Sequence, residues 1–162
     1  MFCGFALMDT SDRTHRMTQT LAEISKAMRD IDFCTLSSHT PDGTIGARPM
    51  SNNRNVDYSG DSWFFTYDDR QMVKDIDEDS SVGLTYMGSG GLLGVFGKPG
   101  IFIHIEGSAA LVRDRSEYAG HWDKRLDRWF PQGTDTPGLV MIEIKARRIH
   151  YWDGEDEAEV AL

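Results

Sequence analysis

Residues 33–50, FCTLSSHTPDGTIGARPM, constrain the fold more than any other stretch. Two strand-like runs flank TPDG, where Pro41 presets φ and Gly43 supplies a permissive backbone, so Phe33 to Met50 reads as a β-hairpin. Pro49 lies inside the second arm. Proline has no N–H to give to a ladder, so that arm predicts a sheet edge, an opening or a bulge. Arg48 sets a charge at the same break. Taken alone, Arg48 is explained well enough as a protective edge charge.

The same grammar runs through the rest of the chain. SWFFT (62–66) and SVGLTYM (81–87) read as strands, with the short helix-like stretch RQMVKDID (70–77) between them. IFIHIEGSAALVRD (101–114) is a longer strand in which Gly107 suggests a bulge or bend. LVMIEIKA (139–146) and RIHYWD (148–153) read as two further strands. Before the hairpin, Thr20 and Glu23 have capping-box spacing, and Leu21, Ile24, Ala27, Met28 and Ile31 recur at helical intervals. Residues 115–130 predict another helix, with Tyr118, Trp122, Leu126 and Trp129 three and four apart. About seven short strands, mostly hairpin-linked, with a few short helices, favour a mainly β, antiparallel barrel or sandwich over alternating βαβ units.

A chain of 162 residues is long enough for one domain with a sizeable core. Residues 18–155 carry the periodic pattern. Residues 1–17 read as a disordered leader, and 156–162 as an acidic tail. The leader's apolar patch is too brief for a signal peptide or a membrane span and has no basic region before it. The formal net charge of -9 argues against nucleic acid or an anionic membrane as partner. It leaves room for a small phosphorylated ligand, which needs only a local island of cations. Cys3 and Cys34 form neither a metal-ligand spacing nor a disulfide framework, which favours a reducing, cytoplasmic setting.

Several familiar chemistries find no support. The histidines at 15, 39, 104, 121 and 150 pair with no other ligand type at metal spacing, so no metal site is expected. His104 and His150 lie within strands as core or interface residues. No G-x-S-x-G turn suggests a hydrolase. The glycine-rich stretch 88–100 lacks the dinucleotide fingerprint, having Leu93 where glycine is needed. It also lacks a P-loop, with Leu92 and Pro99 at the positions that decide one. It reads as a flexible loop able to approach a ligand as a lid.

One combination is more informative. Arg48 and Pro49, the aromatic strand SWFFT and the cations Arg70 and Lys74 offer an aromatic wall, a hydroxyl and positive charge beside an interrupted ladder. Such a set suits flavin mononucleotide (FMN), whose ring needs apolar contact and edge hydrogen bonds and whose phosphate needs charge-assisted donors. The helix that opens after Thr66 would add free backbone N–H groups. Any flat phosphorylated cofactor would meet the same description.

The order of these motifs resembles a known family. RPM, WFFT, SSVGLTY and IEGSAALVRDR, followed by HWDKRLDRWFPQGTDTPGLVMIEIKARRIHYWDGE, look like the FMN-binding split barrels related to pyridoxamine 5'-phosphate oxidase. The C-terminal series is similar to the branch called general stress protein 26-like. The resemblance covers about residues 18–155. It implies a six-stranded, antiparallel split β-barrel that binds FMN at a homodimer interface. The reaction does not carry over with the fold, and the leading reading is a flavin-dependent oxidoreductase linked to stress response. On that basis the ring would meet Arg48, Pro49, Met50, Phe64, Phe65 and Thr66. The phosphate would lie near Arg48 and the turn carrying Arg70, Gln71 and Lys74, and Trp129 would reach the site from the partner chain. Relatives commonly carry a serine closely followed by lysine where Arg70, Gln71 and Met72 stand here. Lys74 is rotated to another helix face, so Arg70 is the expected phosphate ligand. No catalytic acid or base is assigned. Two other readings remain open at this point: a non-catalytic protein that holds a flavin or another flat phosphorylated cofactor as a sensor or reservoir, and a cofactor-free assembly domain.

Overall fold

The computed structural model describes residues 21–52, 58–88, 100–154 and 156–162. The leader, Thr20 with its expected cap, and nearly all of the glycine-rich lid lie outside these residues. Seven antiparallel strands form one sheet: β1 (Phe33–His39), β2 (Ile45–Ser51), β3 (Asp61–Tyr67), β4 (Ser81–Met87), β5 (Ile101–Val112), β6 (Leu139–Asp153) and β7 (Asp156–Ala161). Its order is β2-β1-β4-β5-β6-β3, with β7 also paired to β6. The sheet curls into a half-barrel, so β2 and β3, far apart along the order, return as its two edges. The expected antiparallel split barrel with a few short helices is what forms.

The hairpin closes as the sequence dictates. Gly43 turns at φ 80 and donates its N–H to the Thr40 carbonyl at 2.8 Å. Pro49 faces Thr35 in an edge strand, where the missing N–H is tolerated. Gly107 marks a β-bulge, with the register between β5 and β6 shifting at Glu106/Gly107. A Cβ at Gly107 would collide with the Lys145 carbonyl oxygen, so the close approach of the two backbones requires glycine there.

Inward positions of the strands build the main core, which includes Leu36, Leu84, Ile103, Ile105, Ile142, Ile144 and Ile149. Helix α1 (Leu21–Arg29) covers it with Ile24 and Met28, and α2 (Gln71–Glu78) with Met72 and Ile76. A second, smaller cluster lies on the other face of β3 and β6, where Phe65, Leu139 and Met141 meet Tyr118 and Phe130. The hydroxyl of Tyr118 lies within bonding distance of two carbonyls, Val112 at 3.0 Å and Leu139 at 3.1 Å, which ties the segment after β5 to the start of β6.

Three sequence expectations need correction. Residues 139–153 form one strand that runs on through a β-bulge: consecutive Glu106 and Gly107 of β5 pair with Arg148 and Ala146, which leaves Arg147 as the extra residue of β6. The adjacent exposed residues Arg147 and Arg148 interrupt the inside–outside alternation and mimic a boundary. The acidic tail is strand β7, pairing with β6 from Asp153↔Asp156 to Arg148↔Ala161 and burying Ala158. Residues 115–130 are not one helix. They make 3₁₀ turns at Arg115–Glu117 and Lys124–Arg128 around the single-turn α3 (Tyr118–His121). The Asp123 carboxylate accepts the Arg125 N–H at 2.8 Å and starts the second turn afresh, which removes the common face that the aromatic spacing suggested. Among the described residues, no helix is long and apolar enough to cross a membrane, and no cluster of potential metal ligands occurs.

Candidate functional site

The two free edges of the half-barrel set up the site. The outer edges of β2 and β3 pair with no other strand among the described residues, and the Arg48 guanidinium crosses between them to the Thr66 hydroxyl at 3.3 Å. Along this split runs a cleft of about 740 Å³, within the usual range for small-molecule sites. Its walls include Arg48, Pro49 and Met50 from β2, Phe65, Thr66 and Tyr67 from β3, and Arg70, Gln71, Met72 and Asp75 from the start of α2. Leu126, Trp129 and Phe130 close it from the segment between β5 and β6.

The charges in this cleft are unusual for so acidic a chain. Arg48 is half-buried, and among the described residues no carboxylate forms an ion pair with it. Burial, and then the positive charge of Arg70, push its guanidinium below the ordinary value. Arg70 is the N-cap residue of α2 and lies over the Tyr67 ring at 5.3 Å, with its Nε 3.5 Å from exposed Asp69. The Arg70 side chain makes no capping bond; Val73 donates its N–H to the Arg70 carbonyl at 3.1 Å, and by helix geometry the N–H groups of Gln71 and Met72 lack intrahelical acceptors. Asp75 is buried in the cleft wall. Its carboxylate accepts from the Gln71 amide at 2.9 Å and from the Ser38 hydroxyl at 3.3 Å.

Of the residues singled out from the sequence, Arg48, Pro49, Met50, Phe65, Thr66, Arg70, Gln71 and Trp129 come together on this cleft. Phe64 does not. Successive strand residues point to opposite faces, and Phe64 goes into the main core while Phe65 borders the cleft. Lys74 is exposed and off the lining, as helical rotation requires. Trp129, 55% exposed, lines the cleft of its own chain, where the sequence resemblance expected it to reach across from a partner. Sequence reasoning missed Phe33, Met72, Asp75, Leu126 and Phe130. Asp75 was within reach, since it shares a helix face with Gln71 four residues earlier. Leu126 and Phe130 flank Trp129 in sequence, but only the broken helix brings them to the rim.

The arrangement suits a molecule that is flat and apolar over part of its length and anionic at another part. Comparison with known proteins identifies the framework. The family model described as "Pyridoxamine 5'-phosphate oxidase like" matches residues 19–162. The chain belongs to this family. No curated protein matches it. Among solved structures it is similar to a Clostridium acetobutylicum protein related to general stress protein 26 (TM-score 0.72, 13% identity, 88% of this chain and 94% of that one). It is also similar to general stress protein 26 from Bacillus anthracis (TM-score 0.65, 21% identity, 86% and 95%). A third neighbour is the general stress FMN/FAD binding protein of Xanthomonas citri (TM-score 0.66, 23% identity, 84% and 89%). At these identities the structures establish a shared fold.

Proposed function

We propose that the cleft binds FMN and that the protein is an FMN-dependent oxidoreductase acting as a homodimer. One observation carries the reading: Arg48 is half-buried beside a second arginine with no carboxylate partner among the described residues. An anion held between the two guanidiniums would relieve the desolvation and the like-charge repulsion together, and arginine's planar fork matches phosphate oxygens. Phe65, Met50, Phe130 and Trp129 offer apolar contact to a ring system. Backbone groups on the free edges of β2 and β3 supply donors and acceptors along its rim. The Xanthomonas citri neighbour, an FMN/FAD binding protein, supports a flavin as the ligand.

Bound flavin would supply hydride acceptance and donation, while the chain's residues hold and orient it. Homodimerisation is supported by the outer face of the sheet. There Met87 and Phe102 are exposed, and Met87 faces Phe102, which in turn faces Trp152 across β5 and β6. A continuous apolar row of this kind favours a covered surface. A cytoplasmic location rests on the cysteine pattern alone.

A spectrum of the purified protein tests the ligand. NADH or NADPH, followed by a candidate acceptor, tests turnover. Bleaching and recovery of the flavin absorption are expected. Bound flavin that resists both nucleotides, and whose spectrum stays oxidised, would favour the non-catalytic sensor.

A further inference from the structure

We infer that the open half of the sheet's outer face makes dimerisation sensitive to pH, with His104 as the group whose charge loosens the interface. The inference rests on the homodimer reading above and adds its regulation. The outer face lies opposite the core residues Ile103, Ile105, Ile149 and Tyr151. Over β3 and the start of β6 it is covered by Tyr118, Trp122 and Phe130 of the segment after β5. Over β4, the start of β5 and the end of β6 it stays open, with Met87 62% and Phe102 41% exposed. Two adjacent cross-strand rows define this open half. One is Met87–Phe102–Trp152. The next is Thr85–His104–His150–Glu159, one residue from each of β4, β5, β6 and β7. The rows join where the His150 ring stacks on Trp152, centroids 5.7 Å apart. A second copy that covers the apolar row therefore covers the histidines as well. Both signs of charge stand beside them, Arg148 lying 3.1 Å from Glu106, so a two-fold that sets this face against itself can exchange the partners.

The two histidines differ in their surroundings. His150 lies between two glutamates, its Nε2 3.4 Å from Glu106 and its Nδ1 3.7 Å from Glu159. Arg148 shares both of these acids. A charge gained at His150 is met by carboxylates. His104 faces His150 across the strands, ring centroids 6.4 Å apart, and its Nδ1 lies 3.0 Å from the neutral Thr85 hydroxyl. Toward β4 its ring lies over Gly83, where a Cβ would stand 3.0 Å from the His104 Cε1. Glu106, two residues on, shares its face but is engaged by Arg148 and His150. Among the described residues no carboxylate pairs with His104. Histidine is the side chain that ordinarily changes charge between pH 5 and 8. Protonated His104 would carry a charge into a covered face beside a second imidazole, with neither solvent nor an acid of its own to balance it. The two-fold doubles the cost, since each copy brings the same pair. Whole-molecule electrostatics run the other way, because two copies at a formal net charge of -9 repel less as pH falls. Loosening on acidification therefore singles out the interface histidine.

Analytical sedimentation of the full chain at about pH 8 and about pH 5.5 tests this, with circular dichroism checking the fold at each pH. The proteins compared are the wild type, His104→Gln, His150→Gln and His104→Lys. The wild-type dimer should weaken by about tenfold or more at the lower pH. His104→Gln, whose amide can keep the Thr85 contact without a charge, should stay within about threefold across the same range. His150→Gln should retain most of the wild-type weakening. His104→Lys, charged at both pH values, should already be about tenfold or more weaker at the higher one. If His104→Lys fails to fold, His104→Gln decides. A wild-type dimer that holds or tightens on acidification, or a weakening that survives His104→Gln, overturns the inference. A wild type that is monomeric at both pH values overturns the homodimer reading, and the inference with it.

Discussion

Arg48 and Lys74 show how far residue type alone carries. Both are cations near the aromatic strand, yet Arg48 spans the split and Lys74 faces outward. Arg70→Ala should therefore weaken FMN binding by about tenfold or more, the usual cost of one charge-assisted contact, while Lys74→Ala leaves it within about twofold. Titrations of the two variants check this, and a larger loss at Lys74 would place the phosphate elsewhere. Cys34 makes a second residue-scale prediction. Burial raises its thiol pKa to about 12, so it should resist thiol reagents at pH 8 until the protein unfolds. Ellman assay of a Cys3→Ser variant, native and in urea, reads this directly. At this scale the sequence showed Pro49 and Arg48 clearly, because proline inside a strand has few allowed settings. It did not separate Phe64 from Phe65. Adjacent strand residues face opposite ways, and only the sheet's curvature decides which face meets the cleft. Asp75 escaped notice for a related reason, since an acid on a short amphipathic helix reads as solvated.

Among the elements, glycine and proline were the legible signals, and long strands were not. Gly107 announced its bulge, and Gly107→Ala should cost about 1–3 kcal/mol, because the clash is with backbone and cannot be relieved by a rotamer. Urea denaturation measures it, and a loss under about 0.5 kcal/mol would show that the strands can part there. The helix-to-strand turn after α2 supplies a pH test. The Asp79 carboxyl is held down to about 2, first by the Ser81 N–H and then by the His39 side chain, which lies 2.8 Å away. A depressed carboxylate contributes stability above its ordinary value of 3.8 and loses it as pH falls toward 2. The urea midpoint should therefore drop across that window, and less so in Asp79→Asn. Strand β6 was misread as two because Arg147 is the extra residue of a bulge, which breaks the inside–outside alternation without ending the strand. The acidic run 156–161 was misread because its charges belong to an edge strand, where they discourage further pairing.

For the whole molecule, the order of hairpins fixed the antiparallel half-barrel, but the curl that brings β2 to β3 depends on contacts distant in sequence. That curl creates the cleft. The same curl leaves Met87 and Phe102 on the outer face, and light scattering at micromolar concentration should give a dimer mass. A monomer would contradict the proposed homodimer and leave the cleft of the single chain intact. The central claim is that the two arginines at the split hold a phosphate. Paired titrations of FMN and riboflavin, against the wild type and Arg48→Ala, test it most directly. The account predicts that FMN binds the wild type about tenfold or more tighter than riboflavin, and that Arg48→Ala removes most of that advantage while riboflavin affinity barely moves. Equal affinity of the wild type for both ligands, or an FMN preference that survives the loss of Arg48, would contradict it.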